Sequence, residues 1–378
     1  MRMVSVLFIF VLIMGIFMAN LPQKVNASVS VSAKSAILME QKSGRILYEK
    51  DAFTKRRIAS ITKIMTATLA IESGKMDKYV TVSENAVHTE GSSIYLKAGE
   101  KIKLKDLVYG LMLRSGNDAA VAIAEFVGGS VDGFVFLMNQ KAKEIGMLNT
   151  HFANPHGLDD SKDHYSTAYD MALLTRYAMN NKQYREIAGT KVYRAPNPGE
   201  EWDRVWKNKN RLLTKYQYCT GGKTGYTKLA KRTLVTTAEK GDMDLIAVTI
   251  NDSKDWDDHI AMYENGFKGY DMTEVLPKGK IEIDSKSKYN GKLYLRNSLV
   301  YPATSEEMKN FRISYKIPKY SSKQKSGPVG KAQVFLDGKL IKEVPIYFQR
   351  KNVKESKSGL MDHFNHTFLS ILGVNTNG

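Results

Sequence analysis

The spacing of apolar residues changes twice along this chain, and that change limits how it can fold. Ser35–Glu40 and Arg45–Glu49 flank the turn Gln41-Lys42-Ser43-Gly44, with Ala36, Leu38, Ile46 and Tyr48 near alternation, which reads as a β-hairpin. From Ser60 the period becomes helical, placing Ile61, Ile64, Met65, Thr68 and Leu69 on one face, with Gly74 as the stop. β-rich segments return at Gly222–Thr227, Thr233–Ala238 and Leu245–Ile250, and Asp255–Gly269 reads as a closing helix. Strands on both sides of a helical middle share one core when helices pack on a mostly antiparallel sheet built from both ends of the chain. The expected fold class is therefore α+β.

The helical middle comes in pieces. Leu107, Val108, Leu111 and Met112 form a short apolar face that Arg114-Ser115-Gly116-Asn117 interrupts. Ala119–Val127 resumes it and stops at Gly128-Gly129, and Ser130 caps a further helix ending at Gly146. Thr167 with Asp170 three residues on reads as the start of a helix through Tyr177. Beyond Leu276-Pro277 short strands and Lys-rich turns take over, and Asp337-Gly338 between Gln333–Leu336 and Lys339–Val344 is the strongest hairpin signal in the chain.

Both termini read differently. Met1 and Arg2 precede an apolar run from Val4 to Ala19, shorter than the ~20 residues a spanning helix needs, and Val25-Asn26-Ala27 offers a small-residue cleavage site. This is the pattern of a secretory signal. At the other end Leu360, Phe364, Phe368, Ile371 and Leu372 make a one-sided apolar stripe after Arg350, Lys351, Lys354 and Lys357, as in an amphipathic helix lying in a membrane surface. The expected organisation is a signal peptide over 1–27, a catalytic domain over 28–275, a small β domain over 276–349, and a basic linker with amphipathic helix over 350–378.

Cys219 is the only cysteine, so an intramolecular disulfide is impossible and a core large enough to be stable alone is required. The formal net charge of +17 suits an anionic wall polymer or a lipid surface. Nucleic acid is the weakest partner class, because no helix-turn-helix, zinc-finger or aromatic RNA-binding pattern is present. His151, His156 and His164 have spacings of five and eight, which do not match a helical zinc pair, and no metal or organic cofactor is expected.

Three short motifs carry the chemistry. Ser60-Ile61-Thr62-Lys63 at a helix start puts an amine one turn from a hydroxyl, and a serine is a weak nucleophile until a base takes its proton. Desolvation or neighbouring positive charge lowers a lysine pKa enough for that task. Ser115-Gly116-Asn117 sits in a helix break, where a hydroxyl can relay a proton and a carboxamide can hold a substrate amide. Lys223-Thr224-Gly225 follows Gly221-Gly222 on a strand edge, where a peptide can add as a further strand. Thr224 can bond a terminal carboxylate, and the N–H of Tyr226 with that of Ser60 can form an oxyanion hole. Arg232 is the nearest arginine for the carboxylate.

Ser-x-x-Lys, Ser-x-Asn and Lys-Thr-Gly in this order resemble the set found in penicillin-binding proteins and class A β-lactamases, with Gly116 where the latter carry aspartate. Together with Asn154-Pro155-His156-Gly157-Leu158 and Tyr165–Asp170, they make the exported chain resemble the low-molecular-mass D-alanyl-D-alanine carboxypeptidases of peptidase family S11, in particular their sporulation-type members. The resemblance implies a penicillin-binding-protein-like catalytic domain, with Ser60 as the acyl-forming nucleophile and Lys63 as its base. It makes Ser115 and Asn117 the second element, and Lys223 and Thr224 the substrate clamp. It further implies peptidoglycan stem pentapeptides as substrate, β-lactams as covalent inhibitors, and a place at the outer face of the membrane or in the wall. A β-lactamase would need a deacylating glutamate, and the nearest string, Glu144 to Leu148-Asn149, is one residue too long and lies inside an expected helix.

Overall fold

β1 (Ser35–Glu40) and β2 (Ile46–Lys50) form the expected hairpin, and β1 is buried along its whole length. The computed structural model describes residues 29–349 except 198, 283–286, 290 and 322–324, so the signal and amphipathic-tail readings fall outside the described residues. β3 (Cys219–Thr227), β4 (Lys231–Lys240) and β5 (Met243–Ile250) complete a five-stranded antiparallel sheet in the order β2-β1-β5-β4-β3. The strand nearest the start of the first unit pairs with its last sheet strand in the middle of the sheet, with Ile37 opposite Val248, and this joins the two ends of that unit.

Alternation along β1 sorts its side chains between two layers. Ile37 and Met39, with Val235, Ile246 and Val248, enter the main core beside helices α1 (Lys63–Glu72), α2 (Leu104–Arg114), α3 (Asn117–Gly128), α4 (Val131–Ile145), α5 (Ala168–Ala178) and α6 (Lys182–Gly189). Leu38 and Leu245 turn the other way, toward Gly266 of α7 (Asp255–Gly269). The sequence pattern gives α1 one apolar face, yet all of its residues except Glu72 are buried. A helix enclosed on every side has little freedom to move, which suits the placement of a reactive group at its start.

The caps are where the sequence signals put them. Ser130 Oγ accepts from Gly133 N at 2.9 Å, and Thr167 Oγ1 accepts from Asp170 N at 3.0 Å. Ser115 ends α2 in a left-handed conformation (φ 68°), and Asn117 opens α3 two residues later, so the interrupted pattern is a sharp helix–helix corner.

A second unit begins at Met272. β6 (Asp271–Leu276) pairs with β9 (Leu299–Ala303), and β7 (Gly279–Lys280), β8 (Leu293–Leu295), β10 (Phe311–Lys316), β11 (Gly327–Leu336) and β12 (Lys339–Phe348) form a sheet in the order β7-β8-β12-β11-β10. Asp337 and Gly338 both take positive φ (50° and 76°) in the two-residue turn between β11 and β12, as a primed hairpin turn demands. Leu293, Leu295, Ala332, Val334, Ile346 and Phe348 form this unit's own core. The architecture is α+β, with helices on an antiparallel sheet and an all-β second unit.

Candidate active site

Ser60 does not open an α-helix. Ala59–Thr62 is a 3₁₀ turn, and α1 starts at Lys63. Outside contacts hold the turn in this form: Thr62 Oγ1 donates to Ala59 O at 2.8 Å and meets His164 Nε2 at 2.8 Å, while Thr233 Oγ1 donates to Ile58 O at 2.9 Å. Ala59 itself has φ 50°, an uncommon backbone state for alanine. Strain of this kind persists only when the surroundings over-determine it.

Two glycines let other segments approach the turn. A Cβ on Gly225 would lie 2.8 Å from Ser60 N, so β3 runs directly against the turn because it has no side chain there. Gly157 has φ 89°, and a Cβ on it would stand 2.0 Å from Ala59 O. Gly157→Ala is therefore expected to displace the Ser60 turn and destabilise the fold by roughly 2–4 kcal/mol, with D-alanine release falling as well; thermal melting and turnover on one preparation check both.

Lys63 is fully buried, and its Nζ lies 3.0 Å from Ser60 Oγ, 2.7 Å from Asn117 Oδ1 and 2.7 Å from His156 O. Burial pushes its amine well below the usual lysine range, and the charges of Lys223 and Lys209 push it the same way. Lys223 is also buried, with Nζ donating to Ser115 Oγ at 3.0 Å and to Thr224 O at 2.7 Å. Burial, helped by Lys209, brings it down to about 7. Two hydroxyl–amine pairs thus stand in one site, each with an amine whose hold on its proton is weakened by burial.

A cleft of about 600 Å³ opens over these groups, lined among others by Ser60, Ser115, Thr224, Lys209, Arg211 and Arg232. β3 is an edge strand, so its outer side is available for a further strand. Tyr226 is on the cleft wall and is 62% exposed.

The structure adds partners to two sequence-based assignments. Asn117, expected to hold a substrate amide, accepts from Lys63 at Oδ1 and donates from Nδ2 to Glu90 O at 2.5 Å, which fixes its carboxamide beside the lysine and leaves its second N–H for a substrate. Arg232 faces the cleft, but its guanidinium binds both oxygens of Asp255 at 2.6 and 2.8 Å and lies 5.6 Å from the Trp256 ring centroid. Its charge is largely matched already. Arg211 also lines the cleft and has no ion-pair partner among the described residues.

Glu144 pairs with Lys141 at 2.7 Å on the exposed side of α4 and is not part of the cleft. Burial pushes the Cys219 thiol up to about 11, which makes it a poor nucleophile. His156 and His164 are brought down to about 3 and about 4 by burial, so both are neutral supports; His164 bridges Thr62 and Ala153 N.

Several contributors carry no motif of their own. Asp118, buried in the first turn of α3, accepts from Ser93 Oγ at 2.6 Å and from the N–H groups of Ile94 and Leu96, and so fixes the loop beside the cleft. Lys209 donates to Ser92 Oγ at 3.2 Å on the cleft wall. Pro155 and His156 supply backbone carbonyls to Thr66 and Lys63, which explains why that segment matters.

Comparison with known proteins agrees with this geometry. Residues 22–254 match the family model described as D-alanyl-D-alanine carboxypeptidase, peptidase S11, and residues 270–354 match the C-terminal domain of penicillin-binding protein 5. The D-alanyl-D-alanine carboxypeptidase DacF of Bacillus subtilis is 35% identical over 330 residues, covering 83% of this chain and 84% of that protein. DacC of Escherichia coli is 34% identical over 359 residues, covering 86% and 85%. Among solved structures, penicillin-binding protein 5 from Haemophilus influenzae has a TM-score of 0.71 at 27% identity, covering 85% of this chain and 97% of that one. A family match over most of the first unit, relatives aligned along most of their own length, and a half-buried serine bonded to a buried lysine in a cleft lead to one conclusion: the chain belongs to the S11 family of D-alanyl-D-alanine carboxypeptidases.

Proposed function

We propose that this S11 carboxypeptidase removes the terminal D-alanine from peptidoglycan stem pentapeptides through an acyl-enzyme on Ser60. The observation that carries the reading is the 3.0 Å approach of a desolvated Lys63 amine to Ser60 Oγ, on a cleft lined in part by an edge strand. The stem peptide lies along β3 as an added strand. Neutral Lys63 takes the Ser60 proton, and Oγ attacks the carbonyl between the last two D-alanines. The N–H groups of Ser60 and Tyr226 receive the oxyanion.

The proton that Lys63 took from Ser60 passes through Ser115, which is bonded to Lys223, to the amine of the departing D-alanine, and Lys63 is neutral again. Water then attacks the ester and gives its proton to Lys63, which returns it to Ser60 Oγ as the ester bond breaks. Thr224 binds the terminal carboxylate, with Lys209 and Arg211 supplying the positive surroundings of the cleft. A β-lactam follows the first half of this path and leaves a stable ester on the same serine. Release of free D-alanine from a soluble pentapeptide, with retention of the tetrapeptide, tests the reading and separates a working peptidase from a protein that only binds penicillin.

The reading places the enzyme outside the cytoplasmic membrane, held there by residues 350–378. No single helix among the described residues is long and apolar enough to cross a membrane. Deleting Gly359–Gly378 is expected to move the protein from the membrane fraction to the soluble fraction while leaving turnover of a soluble pentapeptide within about twofold; unchanged sedimentation removes the tail from the account.

A further inference from the structure

We infer that the catalytic cleft continues into a leaving-group site that admits a peptide, which makes the chain an endopeptidase on cross-linked stem peptides as well. Beyond Lys209 and Ser92, which line both, lies a second cleft of about 840 Å³. Lys209 Nζ donates to Ser92 Oγ at 3.2 Å where the two clefts meet. The inference rests on the carboxypeptidase reading, in which Thr224 binds the carboxylate of the departing residue and Lys209 stands near it. A departing residue with a longer side chain than alanine then has the second cleft beside it, whereas free D-alanine leaves that space unused.

The walls of this cleft are fixed within the protein. Arg204, from the strand pair Val192–Ala195 and Arg204–Lys207, binds both oxygens of Glu100 at 2.9 and 2.8 Å, and Lys97 meets Glu200 at 2.7 Å. A bidentate pair of this kind sets geometry as well as charge. Tyr95 stands on the lining at φ 61° and is 84% exposed. Its own N–H donates to Ser93 Oγ at 2.8 Å, and the N–H groups on either side, of Ile94 and Leu96, donate to Asp118 at 3.0 and 3.2 Å. The ring buries little surface to offset that strain, and a ligand that covers it does. Trp202, 65% exposed, lines the same cleft. With the two ion pairs set aside, Arg114, Lys207 and Lys209 face it against Asp203. Aromatic faces among surplus positive charge suit a peptide that carries carboxylates. The reaction uses the same atoms as before: Ser60 Oγ forms an ester with the D-alanyl carbonyl, the C–N bond to the second peptide breaks, its amine takes the proton relayed by Ser115, and water hydrolyses the ester.

The probe is a glycan-free dimer of two stem peptides, joined by an amide between a D-alanyl carbonyl and a side-chain amine whose carbon also bears a carboxylate, as in D-alanine. It is compared, on the full-length protein, with a pentapeptide of the same acyl part ending in D-Ala-D-Ala, the products being separated by chromatography. The wild type should split the dimer into two monomers, and Ser60→Ala should split neither substrate. Tyr95→Ala and Trp202→Ala should each lower kcat/KM for the dimer by about three- to tenfold and leave D-alanine release within about twofold. Both residues are largely exposed, so the melting temperatures should hold. An intact dimer beside normal D-alanine release overturns this inference and spares the carboxypeptidase reading, whereas turnover of neither substrate removes both. Equal losses on the two substrates, or none on either, also overturn it, because the departing peptide then does not lie in the second cleft.

Discussion

Ser60→Ala is expected to lower D-alanine release by roughly 10⁴-fold or more and to abolish covalent labelling by a β-lactam, while the protein melts within a few degrees of the wild type. The size of the loss follows from the chemistry: without the hydroxyl no ester forms, and what is left is uncatalysed attack by water on a bound peptide. The small effect on folding follows from the contacts. Ser60 is half-buried and, among the described residues, its hydroxyl hydrogen-bonds only Lys63 Nζ, whereas the turn is held by Thr62, Thr233 and Gly157. A low rate in a folded variant therefore reports the lost nucleophile. Mass spectrometry of the protein after penicillin treatment gives a second readout. An alanine variant that still carries the penicilloyl adduct would place the nucleophile elsewhere, and Ser115 would be the next hydroxyl to test.

Much of the scaffold could be read before the structure, because the relevant signals are local. Ser130, Thr167, Gly146 and Asp337-Gly338 act within a few residues, so their turns and caps follow from backbone chemistry alone. The three motifs were legible for a similar reason: each joins two functional groups on a short segment. What stayed hidden depends on partners far along the chain. The 3₁₀ form of Ala59–Thr62 is imposed by His164, Thr233 and Gly157. The bonds of Asn117 to Glu90 and Lys63 span 27 and 54 residues and leave no local trace in the sequence. Arg232 looks like a carboxylate ligand until Asp255 is found beside it. The strands Val192–Ala195 and Arg204–Lys207 are joined by an eight-residue connection, too long for the Asn197-Pro198-Gly199 within it to fix their pairing. Nor does a motif mark Lys209, whose influence on both active-site lysines is carried by charge through space.

Lys63→Met should reduce D-alanine release by about 10³–10⁴-fold and also remove the acidic side of the pH–rate profile. In the wild type the amine must be neutral to accept the Ser60 proton, so below its depressed pKa the rate should climb about tenfold per pH unit and then level off. Burial is the main cause of that depression, with the charges of Lys223 and Lys209 behind it. Lys209→Met removes one of those charges, so both amines hold their protons to higher pH and the rising limb should move to higher pH. A residue needed only for binding would lower the rate without moving the limb. Folding carries the same sign. Lys63 and Lys223 have folded pKa values below their ordinary 10.5, so below that value the unfolded chain holds protons that the native state sheds. Stability should therefore rise with pH, between about 7 and 10.5 for the Lys223 contribution, and fall as pH drops. Lys63→Met deletes one of the two contributions, so its melting temperature should vary less with pH than the wild type's. If both proteins show the same pH dependence of melting and the same rising limb, Lys63 is protonated in the native enzyme and another group takes the serine proton.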